Sequence, residues 1–167
     1  MKKTSWAVIA LLTVTVAWGA GFVVMKPAMN KIDVYDFLAV RFTIAAGLMA
    51  LIRPSSLKSF KGATLKYGIF LGVALGFSYI TQTIGLILST AAITSFITGL
   101  YVVLTPLLIW IFFRKKPKAV VALGVVLATT GLAFITIKDA QFDFGQIWTM
   151  LCALGFALHI VGLSKWS

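Results

Sequence analysis

YGIFLGVALGFSYITQTIGLILSTAAITSFITGLYVVLTPLLIWIFF, from Tyr67 to Phe113, runs for 47 residues without a Lys, Arg, Asp, Glu or His. As one helix it would reach roughly 70 Å at about 1.5 Å per residue, against a bilayer core of about 30 Å. The stretch must therefore cross a membrane, turn and cross again. The turn is legible at Ser89-Thr90-Ala91-Ala92-Ile93-Thr94-Ser95, where small and hydroxyl residues interrupt a run of Leu, Ile and Phe. This is a helical hairpin in lipid, and the other segments are placed around it.

Composition agrees. Hydrophobic residues make up 60% of the 167, charged residues 11%, and the mean hydropathy is +1.03. A soluble fold of this size cannot hide that much apolar surface, because a large share of any small domain faces water. The chain reads as an all-α, polytopic transmembrane helix bundle whose first partner is the lipid bilayer. Its net charge of +11 would suggest nucleic acid in a soluble domain. Here the basic residues stand at the ends of apolar spans, which is an orientation signal, so no nucleic-acid role is expected. The single cysteine, Cys152, lies in an apolar run and reads as a small buried hydrophobe.

Six spans are predicted, at about Trp6–Met25, Val34–Ile52, Tyr67–Leu88, Ala92–Phe113, Ala119–Ile137 and Phe144–Leu163. Met1-Lys2-Lys3 resembles the start of a signal peptide. The uncharged run from Thr4 to Met25 is longer than a typical h-region, so it is read as an uncleaved first span. Lys26-Pro27 and Arg53-Pro54 mark the ends of the first two spans, where proline is expected to stop the helix. Eleven basic residues and no acid fall on one side: Lys2, Lys3, Arg53, Lys58, Lys61, Lys66, Arg114, Lys115, Lys116, Lys118 and Lys165. The other side holds Lys26, Lys31 and Lys138 with all four acids, Asp33, Asp36, Asp139 and Asp143. The positive-inside rule then puts both ends in the cytoplasm of a bacterial inner membrane, as an even number of crossings requires.

Small residues suggest how the spans pack. Gly68, Gly72 and Gly76 recur every fourth residue in the third span, with Gly85 beyond them, and Gly124 and Gly131 mark the fifth. Such stripes let helix backbones approach where lipid removes the hydrophobic drive to associate. Thr105-Pro106 predicts a kink in the fourth span, tolerated if a hydroxyl or neighbour satisfies the freed carbonyl.

Polar groups inside the spans are the candidate binding residues. Arg41 lies about 10 Å below the outer end of the second span, at roughly 1.5 Å per residue. A charge at that depth is costly: it meets an anionic part of a substrate, snorkels to a headgroup, or pairs with Asp33 or Asp36. In the third span Ser78, Gln82, Gly85 and Ser89 share one face beside Tyr79; in the fourth, Thr94, Thr98, Tyr101 and Thr105 do. Two polar stripes on adjacent helices make a cavity wall or an interhelical hydrogen-bond ladder. Gln82 is the best single candidate, since an amide both donates and accepts. Trp18 and Phe22 share a face with Thr15, either to stack on a substrate or to sit near the interface. His159 reads as a hydrogen-bonded packing residue, with a proton relay as the alternative. No catalytic residue, metal site or cofactor is expected. There is no Glu, the acids sit at the outer loops, and neither Cys/His ligand spacing nor a phosphate loop occurs.

Together these elements resemble the EamA family of the drug/metabolite transporter superfamily. The likeness is carried by Trp18-Gly19-Ala20-Gly21-Phe22, Asp36-Phe37-Leu38-Ala39-Val40-Arg41-Phe42, Gln82-Thr83-Ile84-Gly85-Leu86, Ser89-Thr90-Ala91-Ala92, Leu104-Thr105-Pro106-Leu107 and the Gly124 to Gly131 spacing. It covers Ser5 to Ile137. Where many members carry a glutamate after the fourth helix, this chain has Arg114-Lys115-Lys116. Members typically join two five-helix repeats of inverted topology. The resemblance implies that residues 1–140 are the first repeat and 141–167 the first helix of an incomplete second one. It implies a secondary transporter of small metabolites such as amino acids, seen here as a truncated half or completed by a second chain. The alternative is a non-transporting scaffold or partner subunit. For a transporter, the implied cavity lining is Trp18, Phe22, Arg41, Tyr79, Gln82, Thr98 and Tyr101, around a small-molecule substrate.

Overall fold

In lipid a backbone satisfies its own polar groups only as helix or closed barrel, and this chain takes the first course. The computed structural model describes residues 2–55, 60–136 and 143–166. Among the described residues there are seven helices: α1 (Lys2–Ala28), α2 (Val34–Ile52), α3 (Gly62–Leu88), α4 (Ala91–Gly99), α5 (Tyr101–Phe113), α6 (Ala119–Thr136) and α7 (Phe144–Trp166). Five segments are long and apolar enough to cross a membrane, with α4 and α5 counted together as Ala91–Phe113. The remaining predicted crossing is α6, an apolar helix of 18 residues. Of the charges used for orientation, Lys58, Lys138 and Asp139 lie outside the described residues, as does Ile137.

Helix ends depart from expectation in three places. Pro27 does not stop α1, which continues to Ala28 and hands on to a turn through Met29 N to Met25 O at 3.0 Å. Proline removes only its own N–H bond, and its fixed φ is helical, so the last turn tolerates it. The hairpin turn is one residue shorter than the predicted spans leave: only Ser89 and Thr90 separate α3 from α4. Thr90 caps α4, its Oγ1 accepting from Ile93 N at 3.2 Å. The fourth crossing is interrupted not at Pro106, which lies inside α5, but at Leu100. There Leu100 N reaches Ile97 O at 3.1 Å and Val103 N reaches Leu100 O at 2.9 Å, a tightened turn beside Gly99. Pro106 donates no backbone hydrogen bond to the preceding turn, where Thr105 Oγ1 donates to Tyr101 O at 2.7 Å.

The core is a seam between α3 and α7, which run antiparallel. Tyr67 stacks on Trp166 at one end, Ser78 lies against Gly155 midway, and Gly85 lies against Gly145 at the other end. Nine residues of α7 are buried, among them Thr149, Cys152, Phe156 and Gly162. The glycine stripes singled out above do not make this contact. A Cβ at Gly68, Gly72, Gly76, Gly124 or Gly131 would meet nothing within 4 Å. The reason is helical phase: at about 100° per residue, the 68–72–76 stripe lies roughly a third of a turn from Ser78, Gln82 and Gly85. The small residues that admit α7 are those on the polar face.

Candidate functional site

The end of the bundle where α1 and α3 finish is tied by one side chain. Helix α3 leaves its last carbonyls without intrahelical partners. Lys26 Nζ donates to three of the carbonyls there, Leu86 O at 2.5 Å, Ile87 O at 2.9 Å and Ser89 O at 2.6 Å. A cation at a helix C-terminus also meets the negative end of its dipole. Beside it, Ser89 Oγ donates to Asp143 Oδ2 at 2.8 Å, while Asp143 Oδ1 accepts from Gln146 N at 3.0 Å at the start of α7. Lys26 and Asp143, read from sequence as orientation charges, thus join α1, α3 and α7.

Below this knot two cavities adjoin. The first, about 200 Å³, is lined by α1 through Trp18, Phe22 and Met25, by α2 through Phe37 and Arg41, and by α3 through Gln82. The second, about 260 Å³, lies between α1 and the α4–α5 crossing and is lined by Trp18, Phe22, Thr98 and Tyr101 among others. Trp18 and Phe22 face both. They are four residues apart in α1, so they stand one above the other as a partition.

Arg41 is half-buried and takes none of the ion pairs foreseen for it. Its guanidinium carbon lies 4.6 Å from the centre of the Tyr79 ring, and Nη1 points at Met25 Sδ at 3.8 Å. Asp33 instead caps α2, accepting from Tyr35 N at 2.8 Å. Gln82 and Thr98 are both buried, and Gln82 Nε2 donates to Thr98 Oγ1 at 3.4 Å. Cys152 of α7 is buried beside both of them. Of the other hydroxyls on the stripes, Ser78 Oγ and Thr105 Oγ1 serve their own helices, donating to Ala74 O and Tyr101 O at 2.7 Å each, whereas Ser89 Oγ reaches Asp143 and Thr94 Oγ1 of α4 reaches Gly85 O of α3 at 3.5 Å. Ladder and cavity wall are therefore not exclusive. Gln82 and Thr98 form the rung and also line the cavities.

All seven residues singled out in the sequence fall in one region, with Tyr79 entering through Arg41 rather than through a cavity wall. What sequence reading missed is Phe156. From α7 it meets Trp18 at 6.1 Å, Tyr79 at 5.2 Å and Tyr101 at 6.0 Å between ring centres, edge-on in each case. Trp18 and Tyr101 are themselves 6.0 Å apart. A signal was available: Gly145, Thr149, Cys152 and Phe156 are spaced four, three and four, one face of a helix made narrow by small residues. His159 behaves as the packing residue foreseen. Its Nδ1 lies 2.9 Å from Leu71 O and must donate, since a carbonyl only accepts. Among the described residues no group of three His, Cys, Asp or Glu stands close enough to hold a metal ion.

Comparison with known proteins adds a family. The model of the EamA-like transporter family matches residues 5–137. A protein of Archaeoglobus fulgidus described as an uncharacterized transporter is 33% identical over 165 residues, covering 99% of this chain and 51% of that relative. The chain thus spans about half the length of the curated relative it matches. No solved structure matches.

Proposed function

The chain belongs to the EamA-like transporter family, and on that premise we propose that it is a permease for a small metabolite such as an amino acid. Substrate passes through the space that Trp18 and Phe22 divide. One observation carries this reading above all: Arg41 and Gln82 on one side of that partition, and Thr98 and Tyr101 on the other, share a wall with it. A permease needs polar groups facing a cavity at membrane depth, and these are buried or half-buried there. In this reading residues 1–140 form one repeat, α7 opens a second, and a complementary repeat in the same or a second chain closes the pathway. Rocking of one repeat against the other gives alternating access. The protein works in the bacterial plasma membrane with both ends of this segment cytoplasmic, coupled to an ion such as the proton.

The test is flux through the complete assembly in proteoliposomes, with labelled amino acids and other small metabolites as the panel. Gln82→Leu, Arg41→Ala and Phe156→Ala are expected to reduce uptake at least tenfold at unchanged protein content. Unchanged flux in both Gln82→Leu and Arg41→Ala would sink the cavity assignment. A scaffold predicts something else: no solute is carried, and the same variants lower stability alone.

A further inference from the structure

We propose that the Arg41 cavity seats an anionic oxygen group, a carboxylate in the first instance, on a solute with no positive charge beside it. The proposal rests on the permease reading and narrows it from small metabolites in general to small organic anions.

A guanidinium stays charged in any protein environment, so Arg41 cannot escape the cost of its depth by losing a proton. Its neighbours leave that charge largely uncompensated. The Tyr79 ring offers the negative face of a quadrupole, and Met25 sulfur is a weak acceptor. Neither is a counter-ion. The acids of α2 are directed elsewhere: Asp33 caps the helix, and Asp36 is exposed and five residues from Arg41, on another face. Asp143 is held by Ser89 Oγ and Gln146 N. Among the described residues no acid lines either cavity. What the guanidinium faces is a space of about 200 Å³ walled by Trp18, Phe22, Phe37 and the Gln82 amide. At about 30 Å³ per water that is room for six or seven waters, or for a compact solute.

The chemistry that fits is selective in sign. A planar carboxylate matches the guanidinium fork through two parallel hydrogen bonds. An ammonium would sit in the same space against a fixed cation, with no acid among the described residues to balance it. The site therefore ranks ligands on one carbon skeleton: the simple acid and its 2-hydroxy derivative above the 2-amino acid, and these above the amide and the amine. A lipid phosphate is the other source of anionic oxygen for an arginine at this depth. The cavity argues for a solute, because Phe22, buried, and the two half-buried rings Trp18 and Phe37 line it beside the guanidinium.

Thermal unfolding of the purified complete protein in detergent tests this without a transport assay. The probes are 4-methylpentanoate, 2-hydroxy-4-methylpentanoate, leucine, 4-methylpentanamide and 4-methylpentylamine at equal concentration, and phosphatidylglycerol separately. The two hydroxy- or unsubstituted acids are expected to raise the midpoint by several degrees, leucine less, the amide and amine not at all. Arg41→Gln is expected to abolish the shift and Arg41→Lys to retain part of it. Because the ranking is read on the unmodified protein, it stands even if a variant fails to fold. Equal stabilisation by amide or amine, leucine at least matching the acids, or stabilisation by phosphatidylglycerol alone, overturns the proposal. Arg41-dependent stabilisation by the acids with no flux of any solute would overturn the permease reading and leave the anion site standing.

Discussion

Gly85 of α3 and Gly145 of α7 are packed backbone to backbone. A Cβ on Gly85 would lie 2.9 Å from Gly145 O, and a Cβ on Gly145 would lie 2.7 Å from Gly85 O. The contact is reciprocal, so neither position has room for a side chain unless the helices separate. In lipid this matters more than it would in water, because close packing and hydrogen bonds hold helices together where apolar burial does not.

Gly85→Ala is therefore expected to cost about 1–3 kcal/mol, the usual range for overpacking a tight contact. Gly72→Ala is the control, since its Cβ would meet nothing within 4 Å. Away from packed features a substitution is worth about ±0.5 kcal/mol. The measurement is the unfolding midpoint of the purified protein in detergent. Equal midpoints for the two variants would mean that the α3–α7 seam does not hold the fold.

The Lys26 clamp makes a second prediction. Its ammonium has three donors and meets three carbonyls, Leu86, Ile87 and Ser89. Lys26→Met keeps an unbranched side chain one atom shorter and removes all three bonds. The expected loss is about 1–3 kcal/mol, moderated by water reaching the freed carbonyls near the interface. Amide exchange at Ser89, whose N–H bonds Gly85 O at 2.9 Å, is expected to speed up with it. Lys31→Met, at an exposed loop position, is expected to change neither. A Lys26→Met protein with the parent's protection at Ser89 would show that the clamp does not secure this helix end.

Orientation is testable with one introduced thiol at a time. The one cysteine of this sequence, Cys152, is buried, and Cys152→Ala removes it from the background. Asn30→Cys and Lys116→Cys are placed at exposed positions in two connecting segments. If the basic side faces the cytoplasm, an impermeant maleimide labels Asn30→Cys on intact cells, and Lys116→Cys only after permeabilisation. The reverse pattern would invert the topology assigned here.

The family and the residues of the candidate site were legible because they rest on local chemistry. Arg41 is costly at its depth whatever surrounds it, and an uncharged run from Tyr67 to Phe113 must fold back. The positions of Trp18, Phe22, Gln82 and Tyr101 within their helices already marked them as one turn or two from a polar partner. What could not be read there was which helix meets which. Phe156 was passed over because its three ring partners stand on α1, α3 and α5.

By itself the sequence determined that this is a helical membrane protein, where its chain crosses, and which side chains are polar at depth. Those follow from the cost of burying charge or an unpaired backbone in hydrocarbon, and that cost is paid residue by residue. Only the tertiary structure decided that α7 seats on Ser78 and Gly85 rather than on the 68–72–76 glycine stripe. It also decided that Lys26 closes a helix end and that Arg41 meets a ring instead of an acid. Lipid favours no apolar helix face over another, so the partner is chosen by close fit and hydrogen bonding between segments far apart in the chain.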